Sequence, residues 1–175
     1  MFLDFIIYIF LNISSIMNSK EEFRLIKLRQ AVSAVVFKDN QFLMVSGKDW
    51  PENAWCFPQG GIQKNEKHIE AVERELKEEL GTDKFKILSK SEIDHMYLFP
   101  DKIRKKKRCE GQFQTIWFVK FFGNLEEIKP NKQELNKQSW FNKEEIIPNM
   151  MYPEQKEVFS RILEELTNLR NENIL

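Results

Sequence analysis

The segment FPQGGIQKNEKHIEAVERELKEELG, residues 57–81, constrains the fold more than any other stretch of the chain. Gly60 and Gly61 close a turn, and Gly81 ends a helical pattern in the manner of a C-cap, so a helix is predicted over about 66–80. At ~100° per residue, Ile69, Val72, Leu76 and Leu80 share one stripe. That stripe has to lie on a core. Glu75, Glu78 and Glu79 then crowd along its rim, where core meets solvent. Like charges at such spacings destabilise a helix. Either they are solvated, with Lys67 and Lys77 as ready partners, or something positive sits among them.

Clustered carboxylates at a rim suit a hard, oxygen-seeking dication such as Mg²⁺, which takes one or two carboxylates together with substrate phosphate oxygens. Gly60 and Gly61 let the backbone come close and offer its own oxygens or amides. Arg74 could pair with a neighbouring carboxylate, and Glu66, at the helix start, favours the positive end of the dipole. Spacing alone leaves the solvated face and the metal site both open.

The rest of the chain supplies a sheet and a second helix. AVSAVVF (31–37) and QFLMVSG (41–47) flank KDN, a hairpin signal. KFKILSKSEI, HMYLFP and QSWF read as short strands, and GQFQTIWFVKFFG (111–123) is the clearest strand. From Pro153, Val158, Ile162, Leu166 and Leu169 form a helical stripe. Mixed strands with two helices far apart in sequence predict an α+β domain whose sheet lies between helices. At 175 residues this is one domain with a real core. Lys and Arg number 27, as do Asp and Glu, so the net charge names no partner and only its local distribution can. Cys56 and Cys109 fit no metal-ligand spacing and read as reduced thiols of a cytoplasmic protein.

The start is set apart. MFLDFIIYIFLNI is apolar but short, is broken by Asp4 and has no basic residue before it. A spanning helix needs roughly 20 apolar residues, and a secretion signal needs a positive start and a small-residue cleavage site. Residues 1–16 are expected to be an over-extended start, because Met17 opens more ordinary sequence. A packing or peripheral membrane segment and a true signal are the other readings. Residues 17–175 form the single domain.

Counted from Gly60, the spacing is glycine, five residues, Glu66, seven residues, then Arg74-Glu75-Leu76-x-Glu78-Glu79-x-Gly81. This resembles the Nudix box, the signature of Mg²⁺-dependent hydrolases of nucleoside diphosphates linked to another group. The last position of that box is usually bulky and apolar and here is Thr82, a packing position. The resemblance implies a Nudix-type α/β/α sandwich with a mixed β-sheet between helices. It implies Glu75, Glu78 and Glu79 as metal ligands, one of them also activating water, with the Gly60 carbonyl completing the shell. Glu66, Arg74 and Gly61 would support them. Mg²⁺ is the expected metal, with Mn²⁺ as substitute.

Outside the box, AWCFPQGGI, LRQAVSAVVF with Arg29, YLFP and GQFQTIWF are similar to bacterial RNA pyrophosphohydrolases and the related dinucleoside polyphosphate hydrolases. Glu134, six residues before Trp140, falls where that subgroup has a further acidic residue that joins the metal site or acts as base. One region departs. Where the subgroup carries Phe-Lys and then Tyr near its final helix, this chain has Glu154-Gln155 and Phe159. Tyr152, just upstream, either replaces the stacking surface or belongs to the core. DKIRKKKR (101–108) is read as a basic loop, with Lys105, Lys106 and Lys107 as phosphate contacts, against the alternative of a solvated loop. Lys48 is a second phosphate-contact candidate. His68 is expected to be exposed and His95 to end a strand. Trp117 and Phe118 are expected as core and half-core, with Trp55 packed under the site.

The expected reaction is hydrolysis of a phosphoanhydride in a 5′-triphosphate RNA end or a dinucleoside polyphosphate, with Glu79 or Glu134 taking the proton. The rivals are a hydrolase of free nucleoside triphosphates and a non-catalytic binding module. No DNA partner and no membrane role are expected.

Overall fold

The computed structural model describes residues 27–48 and 50–175, with Glu154 described by its backbone only. The expectation for residues 1–16 lies outside them. Seven strands form one mixed sheet: β1 (Leu28–Lys38), β2 (Gln41–Gly47), β3 (Gln59–Gly61), β4 (Phe85–Lys90), β5 (His95–Leu98), β6 (Gly111–Phe121) and β7 (Leu135–Asn142). The main path runs β4-β6-β1-β2-β7, with β3 on β1 and β5 on β6. β1 pairs parallel with β6 from Leu28–Gly111 to Phe37–Lys120. On its other edge β1 meets β2 at Phe37 and Lys38, and β3 at Ala31–Ser33. β6 is shared in the same way, by β5 near Gly111 and by β4 near Phe121.

Each face of this sheet carries a core, so β1 reads as a continuous apolar run rather than an alternating one. Val32, Ala34 and Val36 point to one face and Val35 and Phe37 to the other. The first face is covered by α1 (His68–Leu80). The second is covered by α3 (Lys143–Asn149) and α4 (Pro153–Asn171), through Ile146, Phe159, Ile162, Leu163 and Leu166. The α+β fold with a mixed sheet between helices is as the sequence predicts.

Several local expectations are corrected. α1 begins at His68, with Lys67 as its N-cap, and ends at Gly81 in the left-handed region (φ 67°), as a C-cap glycine should. Ile69 is 42% exposed, whereas Ala71 is fully buried and Glu79 is only 7% exposed. The helix is thus rolled toward its glutamate side by roughly 40° relative to the predicted stripe. Residues 101–107 are not a loop but the helix α2 (Asp101–Lys107). Asp101 in the first turn and four cations in the last turn suit the dipole, and Arg108 closes it in the left-handed region. Four helices stand among the described residues rather than two. α3 is started by Asn142 and Glu145 in a capping box. β7 extends well beyond QSWF because it pairs with β2 along its whole length. His95 opens β5, is buried, and bonds Gln114 through Nδ1. His68 is exposed as expected, yet its Nδ1 lies 3.0 Å from Thr115 Oγ1. Phe118 is fully buried and Trp117 half-buried, and Cys56 and Cys109 are buried free thiols.

Candidate active site

α1 and β3 meet at the two glycines, and the contact explains the roll of the helix. A Cβ on Gly60 would fall on the Glu75 carboxyl, and one on Gly61 would fall on the Arg29 guanidinium. Only glycine leaves room for both side chains. Arg74 locks the junction. Its Nε and Nη2 donate to the two oxygens of Glu66 at 2.7 and 2.9 Å, and Nη2 also donates to the Gly61 carbonyl at 2.8 Å. Its Nη1 donates to Glu75 at 2.7 Å and to Glu78 at 3.3 Å. All five donors of the guanidinium are used. A positive group does sit among the crowded glutamates, and it is Arg74. The Glu66 carboxyl, gripped by Arg74 and by the Gln63 amide, is held at about 2.

Glu79 is what Arg74 does not reach. Its carboxyl is buried and Oε2 has no hydrogen-bond partner. Burial, then the charges of Glu75 and Glu134, push it up to about 8, with the Gln59 backbone amide opposing in part. Glu75, half-buried, is raised as well, because desolvation outweighs its bond to Arg74. An ionised Glu79 in this position calls for a cation.

A cavity of about 470 Å³ opens onto Glu79. Glu79, Glu134 and Gly60 form its acidic end, and Arg29, Lys48, Lys106 and Lys107 line it with positive charge. Of the predicted residues, Tyr152 also borders it. Glu66, Arg74, Gly61, Glu75 and Glu78 lie behind or beside this wall, and Lys105 is exposed and does not border it. Trp55 is buried against Phe141, 5.0 Å between ring centres.

The cavity floor and the layer beneath it hold residues that the sequence reading passed over, Gln59, Tyr97, Phe99 and Gln112 in the lining and Gln114 buried next to Gln59. Gln112 on β6 faces Tyr97 on β5, and Gln114 faces His95. Gln112 Oε1 accepts from Arg29 Nη1 at 3.1 Å, while its Nε2 donates to the Tyr97 hydroxyl at 3.3 Å. Gln114 donates to Gln59. Tyr97 meets Phe99 edge-on at 5.5 Å and Tyr152 at 6.4 Å, and the Lys107 ammonium stands 5.7 Å over the Phe99 ring. Surrounding protein and the charge of Arg29 draw the Lys107 pKa down. The signal was present in GQFQT: two amides at alternate positions inside an apolar strand put polar groups on one buried face.

The donor set fits a divalent cation. The orphaned Glu79 oxygen, the Glu75 carboxyl against Gly60 and the backbone beside them are all hard oxygen donors. Among the described residues, no three His, Cys, Asp or Glu side chains converge into a preformed cage. Mg²⁺ does not require one, since it takes one or two carboxylates and leaves its other positions to water and phosphate. A larger hollow, about 550 Å³, lies by the β1–β2 turn between Asn40, Asn142 and Arg170. Its one carboxylate, Glu144, is exposed, so it lacks the buried charge that marks the Glu79 cavity.

Known proteins resemble the chain throughout this region. The NUDIX domain model matches residues 27–162. An RNA pyrophosphohydrolase of a Nitratiruptor species is 42% identical over 100 residues, covering 54% of this chain and 64% of that protein, just under two thirds of its length. An RNA pyrophosphohydrolase of Wolbachia sp. subsp. Brugia malayi is 30% identical over 148 residues, 81% of this chain and 91% of that protein. A C. elegans Ap4A hydrolase solved as a binary complex superposes with a TM-score of 0.62 at 19% identity, over 81% of this chain and 99% of that one. At that identity the likeness is one of fold. Among the described residues, no helix is long and apolar enough to cross a membrane.

Proposed function

The chain belongs to the Nudix hydrolase family, and on that premise we propose that it removes pyrophosphate from 5′-triphosphate ends of RNA, with Mg²⁺ or, in its place, Mn²⁺. The observation that carries this reading is the cavity itself: a buried carboxylate with one oxygen unpartnered and Glu134 at one end, with four cations around the rest. A polyphosphate needs that arrangement, its charge held by Arg29, Lys48, Lys106 and Lys107 and its reacting bond laid beside the carboxylates. Relatives named RNA pyrophosphohydrolase support the substrate. Dinucleoside polyphosphates share the reactive bond, and the Tyr97, Phe99 and Tyr152 rings offer surface for a second base.

When bound, the divalent metal would neutralise phosphate charge and make water a better nucleophile. Glu79, through Oε2, and Glu75, against Gly60, would hold it, with the Gly60 carbonyl beside them. Arg74 keeps Glu75 and Glu78 in place and Glu66 keeps Arg74 in place. Glu134 is exposed on the rim of the same cavity, so its carboxylate remains available to take the proton from the attacking water. Arg29, braced by Gln112, orients the phosphates.

The test compares release of pyrophosphate from 5′-triphosphate RNA with cleavage of diadenosine tetraphosphate in Mg²⁺, in the wild type and Glu134→Gln. The expected result is a preference for RNA, and a kcat about 10²-fold lower in the variant with metal affinity unchanged. A preference for the dinucleotide would move the assignment to the second substrate. Loss of metal affinity in Glu134→Gln would make that residue a ligand instead of the base.

A further inference from the structure

Helix α2 carries more positive charge than the cavity uses, and the excess faces outward. At ~100° per residue, its cavity side holds Ile103, Lys106 and Lys107. Arg104 points elsewhere, into ion pairs with Asp101 and Glu110. What remains is an arc that starts at Lys106 and continues through Lys102 and Lys105, away from the cavity. Lys102 and Lys105 are exposed and have no ion-pair partner among the described residues. The arrangement works against the helix that carries it. Like charges three and four residues apart repel, Lys102 stands in the first turn where the dipole disfavours a cation, and so short a helix has little stability to spare. A polyanion lying along the arc would offset all three.

We propose that Lys102 and Lys105, joined to the cavity by Lys106, form a track for the phosphodiester backbone of single-stranded RNA beyond its first nucleotide. The inference rests on the reaction proposed above and separates its two substrates. In a dinucleoside polyphosphate every negative charge lies in the bridge between the nucleosides, where the cations of the cavity meet it. A strand that continues outward brings one more charge with each nucleotide, and only such a strand reaches Lys102 and Lys105. The attraction is independent of base sequence and weakens with salt.

The experiment follows pyrophosphate release from 5′-triphosphate mono-, di-, tetra- and octanucleotides of RNA in Mg²⁺, at low and moderate salt, with the wild type and Lys102→Gln/Lys105→Gln. Glutamine matches lysine closely in helix propensity, and circular dichroism reports that the fold is kept. The wild type is expected to show a KM that falls about tenfold from di- to octanucleotide at low salt. In the variant that fall disappears, and the salt dependence of log KM for the octanucleotide becomes shallower by roughly 1.4. A wild-type KM independent of length, or a length dependence that survives in the variant, overturns the track while leaving the reaction standing. Failure of every triphosphate oligomer to react, with diadenosine tetraphosphate cleaved, overturns the RNA reading and the track together.

Discussion

Glu79→Gln is expected to lower kcat about 10³-fold and, in metal-free buffer, to raise the melting temperature. Both effects have one origin. The carboxyl is buried with one oxygen unpartnered, next to Glu75 and Glu134, which suits a bound cation and strains the protein without one. Between the ordinary value of 4.5 and about 8, the folded chain keeps a proton on Glu79 that the unfolded chain has released. The folded state therefore binds more protons, and stability falls as pH rises through that window. Each pKa unit corresponds to about 1.4 kcal/mol, so the loss is on the order of a few kcal/mol. Thermal melts of the metal-free wild type should fall by about 5 °C or more across the window, while those of the variant stay flatter and lie above at the alkaline end. Added Mg²⁺ should lift the wild type there and leave the variant unmoved. A wild-type melting temperature that climbs through the same window would mean that Glu79 ionises like a surface carboxylate.

Arg74→Lys is the second large effect. The substitution keeps the charge and is destructive nonetheless, because an ammonium donates from one point and cannot span Glu66, Glu75, Glu78 and the Gly61 carbonyl at once. Glu75 then loses the bond that offsets its burial. The expected outcome is a fall in kcat/KM of about 10²-fold and in melting temperature of about 5 °C, measured by steady-state kinetics beside thermal melts. Arg104→Lys, in the ion pairs with Asp101 and Glu110 outside the cavity, serves as the comparison and should leave kcat/KM close to wild type. Equal losses at both positions would reduce Arg74 to a generic ion pair.

The sheet and its two covering layers were readable because burial on both faces forces long apolar runs such as AVSAVVF. The helix carrying the glutamates was readable from its stripe and its terminal glycine. Its roll was not, because the cause is tertiary: β3 approaches through Gly60 and Gly61, which draws Glu79 inward and leaves Ile69 at 42% exposure. The same limit hid α2. A charged run of seven residues resembles a loop until Asp101, the four cations of its last turn and Arg108 are seen to satisfy its two ends. At the acidic end of the cavity, Glu79 and Gly60 came from one local spacing, whereas Glu134, more than fifty residues on, came from the resemblance alone. The amides of Gln59 and Gln112 that line the cavity, with Gln114 buried against Gln59, are assembled from β3 and β6, far apart in sequence, and only the β1 register brings them together.

The most direct test of the central claim, that the corner formed by Glu79, Glu75 and Gly60 holds the metal, is a titration with Mn²⁺ followed by electron paramagnetic resonance, which counts the free ion. Wild type, Glu79→Gln and Gly60→Ala would be compared without substrate. The account predicts that the wild type withdraws Mn²⁺ from solution and that both variants do so at least about tenfold more weakly, one lacking the charge and the other having Glu75 displaced by the added methyl. Wild-type affinity retained in Glu79→Gln would contradict it.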